Sequence, residues 1–259
     1  MALNDARHVF LLEQVALRGR ISVADMAACL EVSLETIRRD LRALERAGHV
    51  RCVYGGAVAQ RRDALQDQPL QDRVRLRRQE KSRIARIALD LVPQGASLFL
   101  DTGTTTLALA QLLTARRDVT VCTNSLDIAR LLAGAGLTAI SVTGGEVRGS
   151  DNALVGHATV ASVRARLFDI AFMGIAAVDL DHGYMDYGAE ESVLRQTLLS
   201  HARRCVLLAD RGKFGRTARL RTFGLGDVRT LVTDSKPPAL FAKSFRDLAV
   251  EVLCGGPND

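Results

Sequence analysis

A chain of 259 residues, 47% hydrophobic and 25% charged, is long enough for two hydrophobic cores. It has no apolar run near the ~18 residues a membrane span needs. Asp5, Arg7, His8, Glu13 and Arg18 break up the first twenty positions, where a signal peptide would be apolar. The net charge of +6 is unevenly placed: residues 1–62 hold ten Lys/Arg against seven Asp/Glu, 63–86 seven against four, and 87–259 eighteen of each. That distribution is expected of a polyanion-binding module attached to a neutral one. Five cysteines (Cys29, Cys52, Cys122, Cys205, Cys254) are an odd number without CxxC spacing. They point to a reduced, cytoplasmic protein with no structural zinc, and no cofactor is expected.

The chain opens with an expected helix, Asp5–Leu17, whose apolar stripe is Val9, Leu12, Val15 and Ala16 and which Gly19 ends. Arg20–Val23 reads as a short extended piece, and Ser22 with Asp25 starts a second helix, Val23–Leu30. After Glu31-Val32 comes Ser33–Gly48, SLETIRRDLRALERAG. Leu34, Ile37, Leu41 and Leu44 recur at steps of three and four, forming one helical face, while Thr36, Arg38, Arg39 and Arg42 fall off it. Ser33 suits the N-cap and Gly48 the stop. Helix, tight turn and polar-tipped helix make a helix-turn-helix, whose second helix lies in the DNA major groove. His49–Val58, with Tyr54 and the turn-forming Gly55-Gly56, reads as a small β-wing.

In such a helix, Ser33 and the first backbone amides can hold a phosphate. An arginine paired with guanine O6 and N7 gives ~1–3 kcal/mol of discrimination, whereas a phosphate contact only positions. Arg38, Arg39 and Arg42 are candidates for either role. Glu35 is placed to accept from a cytosine amine or to repel a phosphate, and Asp40 to pair with a neighbouring arginine and orient it. With aromatic residues at 4%, stacking on single strands is disfavoured, so double-stranded operator DNA is the expected partner. Ser22 and Tyr54 complete the candidate DNA-binding set.

Residues 59–86 read as a linker that becomes a helix, broken at Pro69. Arg73, Arg75, Arg77, Arg78 and Lys81 either add DNA phosphate contacts or form a solvated face. From Ser82 onward, helices alternate with apolar runs. The expected strands are Ser97–Leu100, Val119–Thr123, Ala139–Thr143, Asp169–Met173, Cys205–Ala209, Arg229–Thr233 and Ala249–Leu253. The expected helices are Thr104–Leu113, Ser125–Ala133, His157–Arg166, Glu190–Ala202 and Pro238–Phe245. Such alternation builds an α/β fold with a mostly parallel sheet covered on both faces, and ligands bind beyond the carboxyl ends of its strands. The loops there carry Asp101, Thr102, Gly103, Thr104, Thr105 and Thr106; then Asn124 and Ser125; then Gly144 and Gly145; and finally Asp210 with Lys213. Amides, threonine hydroxyls and a lysine make a phosphate cradle, while Asp and Asn suit sugar hydroxyls.

Arg7, Leu11 and Val15, followed by Ser33-x-x-Thr36-Ile37-Arg38-Arg39-Asp40-Leu41, Leu44-Glu45, Gly48 and Tyr54-Gly55-Gly56-Ala57, resemble the N-terminal signature of the DeoR/GlpR family of bacterial transcription regulators. Cys52 and Val53 depart from it, standing near a place where such wings often carry a basic residue and a His. Lys81, Asp101-x-Gly103-Thr104-Thr105, Thr123-Asn124-Ser125, Gly144-Gly145, Gly156, Asp169-x-Ala171-Phe172-x-Gly174, Gly183, Glu190 and Leu208-Ala209-Asp210-x-x-Lys213-Phe214-Gly215 are similar to that family's effector domain. That domain in turn resembles ribose-5-phosphate isomerase and related sugar-phosphate isomerases.

The resemblance implies a winged helix-turn-helix over residues 1–58, a linker over 59–80 and an effector domain over 81–259. It further implies a phosphorylated sugar, polyol or sugar acid as effector, with the glycine–threonine loop and Lys213 on its phosphate and Glu190 in the site. The expected function is a repressor of a carbohydrate-catabolism operon. Two recognition helices must meet successive major grooves, so a homodimer or larger even oligomer is expected, with no membrane partner. The alternative is a sugar-phosphate isomerase using Asp101, Asp186, Glu190, Glu191 or Asp210, with His182 near in sequence. A helix-turn-helix is unnecessary to an enzyme, so catalysis is not expected.

Overall fold

The computed structural model describes residues 2–46, 50–59, 70–137 and 139–255. The chain divides into two compact units, Met1–Asp63 and Ala64–Asp259.

In the first unit, α1 (Ala2–Arg18), β1 (Arg20–Ser22), α2 (Val23–Cys29), α3 (Leu34–Arg46), β2 (Val50–Val53) and β3 (Gly56–Ala59) follow in order. The wing hairpin β2–β3 takes β1 as a third, antiparallel strand, in the order β1-β3-β2. Its turn needs glycine twice for different reasons. Gly55 has φ +79°, and a Cβ on Gly56 would stand 1.9 Å from the Ile21 carbonyl oxygen. Leu11, Val15, Ile21, Met26, Ile37, Leu41, Leu44 and Val50 close the core between helices and wing.

Two expected core positions are solvent-facing: Val9 is 54% and Leu34 47% exposed. On α1 the buried residues Leu11 and Val15 are four apart, with Leu12 partly buried beside them, so the inward face is turned away from Val9. Leu34 is the first residue of α3, ahead of the turns that pack. The expected stop at Gly48 and the break at Pro69 lie outside the described residues.

The second unit runs α4 (Leu70–Arg75), α5 (Arg78–Asp90), β4 (Ser97–Leu100), α6 (Thr104–Leu113), β5 (Thr120–Thr123), α7 (Leu126–Gly134), β6 (Ile140–Val142), β7 (Glu146–Arg148), β8 (Ala153–Val155) and α8 (His157–Arg164). It continues β9 (Phe168–Gly174), β10 (Ala177–Asp179), β11 (Gly183–Asp186), α9 (Ala189–His201), β12 (Ala202–Leu208), a 3₁₀ turn at Arg211–Lys213, β13 (Leu220–Phe223), β14 (Thr230–Thr233), α10 (Ala239–Asp247) and β15 (Glu251–Cys254). All seven expected strands enter one parallel sheet, in the order β15-β14-β12-β9-β4-β5-β6.

Alternation along the strands feeds two cores on opposite faces. Phe99, Ala171 and Met173 pack on one side with Leu194, Leu198 and Phe245. Leu98, Leu100, Ile170 and Phe172 pack on the other with Ile84, Leu109 and Ile128. The hairpin β7–β8 and the antiparallel sheet β10-β11-β13 were not expected from the sequence. Their strands are short and lack the long apolar runs of the central sheet. From β4 the chain builds outward through β5 and β6, then returns to add β9 on β4's other side. The strand order therefore reverses between β4 and β9, the place where parallel sheets open a crevice.

Candidate DNA-reading helix and anion cavity

The N-terminal unit presents α3 with its polar side outward. Ser33 Oγ accepts from the Thr36 amide at 3.1 Å and lies 2.8 Å from the Thr36 hydroxyl, capping the first turn. Ser22 Oγ caps α2 in the same way, 3.2 Å from the Ala24 amide. Arg38, Arg39 and Arg42 are all exposed. Glu35 stands 3.4 Å from Arg38 and 3.8 Å from Arg42, holding both along one side of the helix. Tyr54 is fully exposed at the wing tip, and Arg20 donates to its carbonyl at 3.3 Å.

Asp40 does not orient a neighbouring arginine of its own helix. It is buried and takes the guanidinium of Arg7 on α1, with His8 Nε2 at 3.3 Å. Burial alone would raise its pKa, but the hydrogen bonds from Arg7 and His8 carry it below the ordinary carboxylate value. The pair fixes α3 to α1. At the departure from the family pattern, Cys52 is held through its backbone, its amide donating to Glu45 Oε1 at 2.7 Å.

In the sheet unit, a cavity of about 190 Å³ lies at the switch point. That is below the ~300 Å³ at which drug-sized pockets begin, so it suits a small ligand. One wall is the loop Thr102–Thr105 leading into α6, whose first amides have no carbonyl one turn back and favour an anion. Asp210 and Lys213 follow from the end of β12, and Arg73, Arg77 and Lys81 come from the α4–α5 region. Asp210 accepts from Arg77 and from the Gly212 amide, both at 2.9 Å. Lys81 donates to the carbonyls of Arg73 and Leu76, the latter at 2.7 Å. Burial pulls the ammonium groups of Lys81 and Lys213 down to about 8; Asp210 opposes this, while neighbouring cations add to it. These groups form a cationic cradle containing a single carboxylate.

The opposite wall is charge-balanced by pairing. Arg195 is buried on α9, 2.7 Å from Asp101 and 2.5 Å from Asp186. Arg148 spans Asp151 at 2.7 Å and Glu191 at 2.5 Å, which raises its already high pKa further. Asp186 also accepts from the Thr222 hydroxyl and the Ala176 amide.

The structure therefore brings Thr102, Gly103, Thr104, Thr105, Asp210 and Lys213 together on the cavity. The remaining sequence candidates lie outside its lining. Asp101 is buried against Arg195, and the Thr106 hydroxyl donates to the Gly103 carbonyl. Asn124 Oδ1 accepts from the Thr102 amide at 2.9 Å, bracing the loop that leads into α6. Ser125 caps α7. Gly144 and Gly145 pack against α8, with the Thr159 hydroxyl on the Gly144 carbonyl at 2.7 Å. Glu190 is exposed, and its neighbour Glu191 lines the cavity instead. Arg148 and Arg195 were not singled out in the sequence. The i, i+4 spacing of Glu191 and Arg195 on one helix was the available signal for Arg195.

An arginine-faced helix-turn-helix followed by a domain with a small, cation-lined cavity is the make-up of a ligand-responsive DNA-binding protein. Residues 7–63 match the DeoR-like helix-turn-helix domain, and residues 76–235 match the DeoR C terminal sensor domain. The glycerol-3-phosphate regulon repressor of Haemophilus influenzae is 33% identical, covering 96% of this chain and 97% of its own. The repressor of the same name from Escherichia coli is 30% identical over 96% and 98%. Among solved structures, a ribose 5-phosphate isomerase of Methanocaldococcus jannaschii aligns over 52% of this chain and 53% of its own, at 19% identity and a TM-score of 0.39. The chain belongs to the DeoR family of transcription regulators.

Proposed function

We propose that the protein is a transcriptional repressor that binds double-stranded operator DNA through α3 and the wing and is released by a small phosphorylated sugar or polyol. The observation that carries the ligand class is the cradle at the switch point, where Arg73, Arg77, Lys81 and Lys213 gather around Asp210 beside the start of α6. A phosphate dianion supplies the missing negative charge. Relatives named for the glycerol-3-phosphate regulon favour a polyol phosphate or similar compound. The ligand controls DNA occupancy only if it binds the two protein states unequally.

Catalysis is not part of this reading. Among the carboxylates considered for an isomerase, Asp101 and Asp186 are engaged by Arg195, Asp210 by Arg77 and Glu191 by Arg148. Glu190 is exposed, and His182 lies in the β10–β11 turn, its amide on Asp179. Two recognition helices on successive major grooves require a dimer or larger even oligomer acting in the cytoplasm. The test is to select a bound duplex from a random pool and titrate it by fluorescence anisotropy with phosphorylated compounds of three to six carbons. The expected result is weaker DNA binding with at least one of them and none with its unphosphorylated counterpart. Affinity unchanged across the whole set would overturn the reading.

A further inference from the structure

The segment that opens the second unit, α4 and the turn into α5, is itself part of the cavity wall. Arg73, Leu76 and Arg77 line it, although Arg73 precedes the matched sensor domain, which begins at residue 76. Three polar ties seat this segment. Arg77 reaches Asp210 at 2.9 Å, and Lys81 grips the carbonyls of Arg73 and Leu76. Arg77 also holds an uncommon left-handed backbone, φ +54°, where α4 ends and α5 begins. Its guanidinium lies so close over Gly212 that a Cβ there would stand 2.0 Å from Arg77 Nη1. Arg73 has no carboxylate at ion-pair distance among the described residues, and its charge is felt by both Lys81 and Lys213. Two cations on the connecting segment thus face the same space as the lysine at the end of β12.

We propose that Arg73 and Arg77 are ligand-binding residues, so that binding the anion and seating the connecting segment on the cavity are one equilibrium. A phosphate in the cradle draws Arg73 inward and shares Arg77 with Asp210. Occupancy then changes the stretch of chain that leads to the helix-turn-helix, without any signal having to cross the sheet. The proposal rests on the cavity taking a phosphorylated ligand.

The probes are inorganic phosphate and a set of sugar and polyol monophosphates, compared with chloride at equal ionic strength. Affinity is read from thermal shift, and segment order from amide hydrogen exchange over residues 70–81. In the unaltered protein, a phosphate compound is expected to raise the melting temperature and slow exchange in this segment. The double variant Arg73→Met, Arg77→Met is expected to bind about tenfold or more weakly. The substitution Gly212→Ala keeps every charge but displaces the Arg77 guanidinium. It is expected to keep a smaller thermal shift through Lys213 while losing most of the exchange protection. Thermal shift in the unaltered protein with undiminished affinity in the double variant, or with no change in exchange at 70–81, overturns this proposal and leaves the ligand class standing. No shift with any phosphate compound overturns both.

Discussion

Lys81 and Lys213 give ligand binding a pH dependence that can be worked out in advance. In the empty cavity both ammonium groups titrate at about 8 instead of 10.5, because burial and neighbouring cations disfavour the charge. A bound phosphate offsets that disadvantage with its own negative charge and returns them toward 10.5. At pH 7 both lysines are then protonated with or without ligand, and binding involves no proton. At pH 9 the empty cavity has largely lost both protons, and each must be taken up on binding. Affinity therefore falls about tenfold per lysine between pH 7 and 9, approaching about a hundredfold for the two together. The phosphate does not offset this, since its second pKa of about 6 leaves it a dianion throughout that range.

Calorimetry between pH 6.5 and 9.5, in buffers of different ionisation enthalpy, measures both the affinity and the proton uptake. The stability of the empty protein should move the other way. Between about pH 8 and 10.5 the unfolded chain holds more protons than the folded one, so these two groups make stability rise with pH through that window. Phosphate affinity that stays flat to pH 9, with no proton uptake, would refute the placement of the two lysines on the anion.

Other consequences concern the N-terminal unit. Arg38→Ala and Arg39→Ala should each weaken DNA binding strongly while leaving the melting temperature within a degree or two, because both side chains are exposed. An arginine on phosphate should also reduce the salt slope of binding by about one, whereas one on a base should relax specificity at a single position. Asp40→Ala should destabilise the N-terminal unit by about 2–3 kcal/mol in thermal or urea melts, since it removes the buried carboxylate that ties α3 to Arg7 and His8 of α1. A loss below about 0.5 kcal/mol would show that the pair contributes little.

The parts of this fold that could be read from sequence are those set by local pattern. Each strand of the central sheet is a short apolar run followed by a polar turn, and the period-two alternation of Leu98, Phe99 and Leu100 assigns their faces unaided. The caps at Ser22 and Ser33 are equally local. What could not be read depends on partners far apart in the chain. Asp40 looks like a companion of the arginines beside it, yet its guanidinium comes from Arg7, thirty-three residues earlier. Asn124 has the chemistry of a sugar-binding group, but its carbonyl goes to the Thr102 amide of the adjacent loop, which is buried and otherwise without an acceptor. Glu190 and Glu191 are indistinguishable in sequence; only the rotation of α9 turns Glu191 toward Arg148. The arginines at 73 and 77 looked like a solvated run because their counter-surface, the end of β12, lies more than a hundred residues away.

Control of DNA binding at α3 by an anion at the switch point is decided by anisotropy titration of the selected duplex, with and without the most stabilising phosphorylated compound, for the unaltered protein and for Lys213→Met. The compound is expected to weaken DNA binding by tenfold or more in the unaltered protein and to have little effect on the variant. Equal DNA affinity with and without ligand in the unaltered protein, or an undiminished response in Lys213→Met, would contradict it.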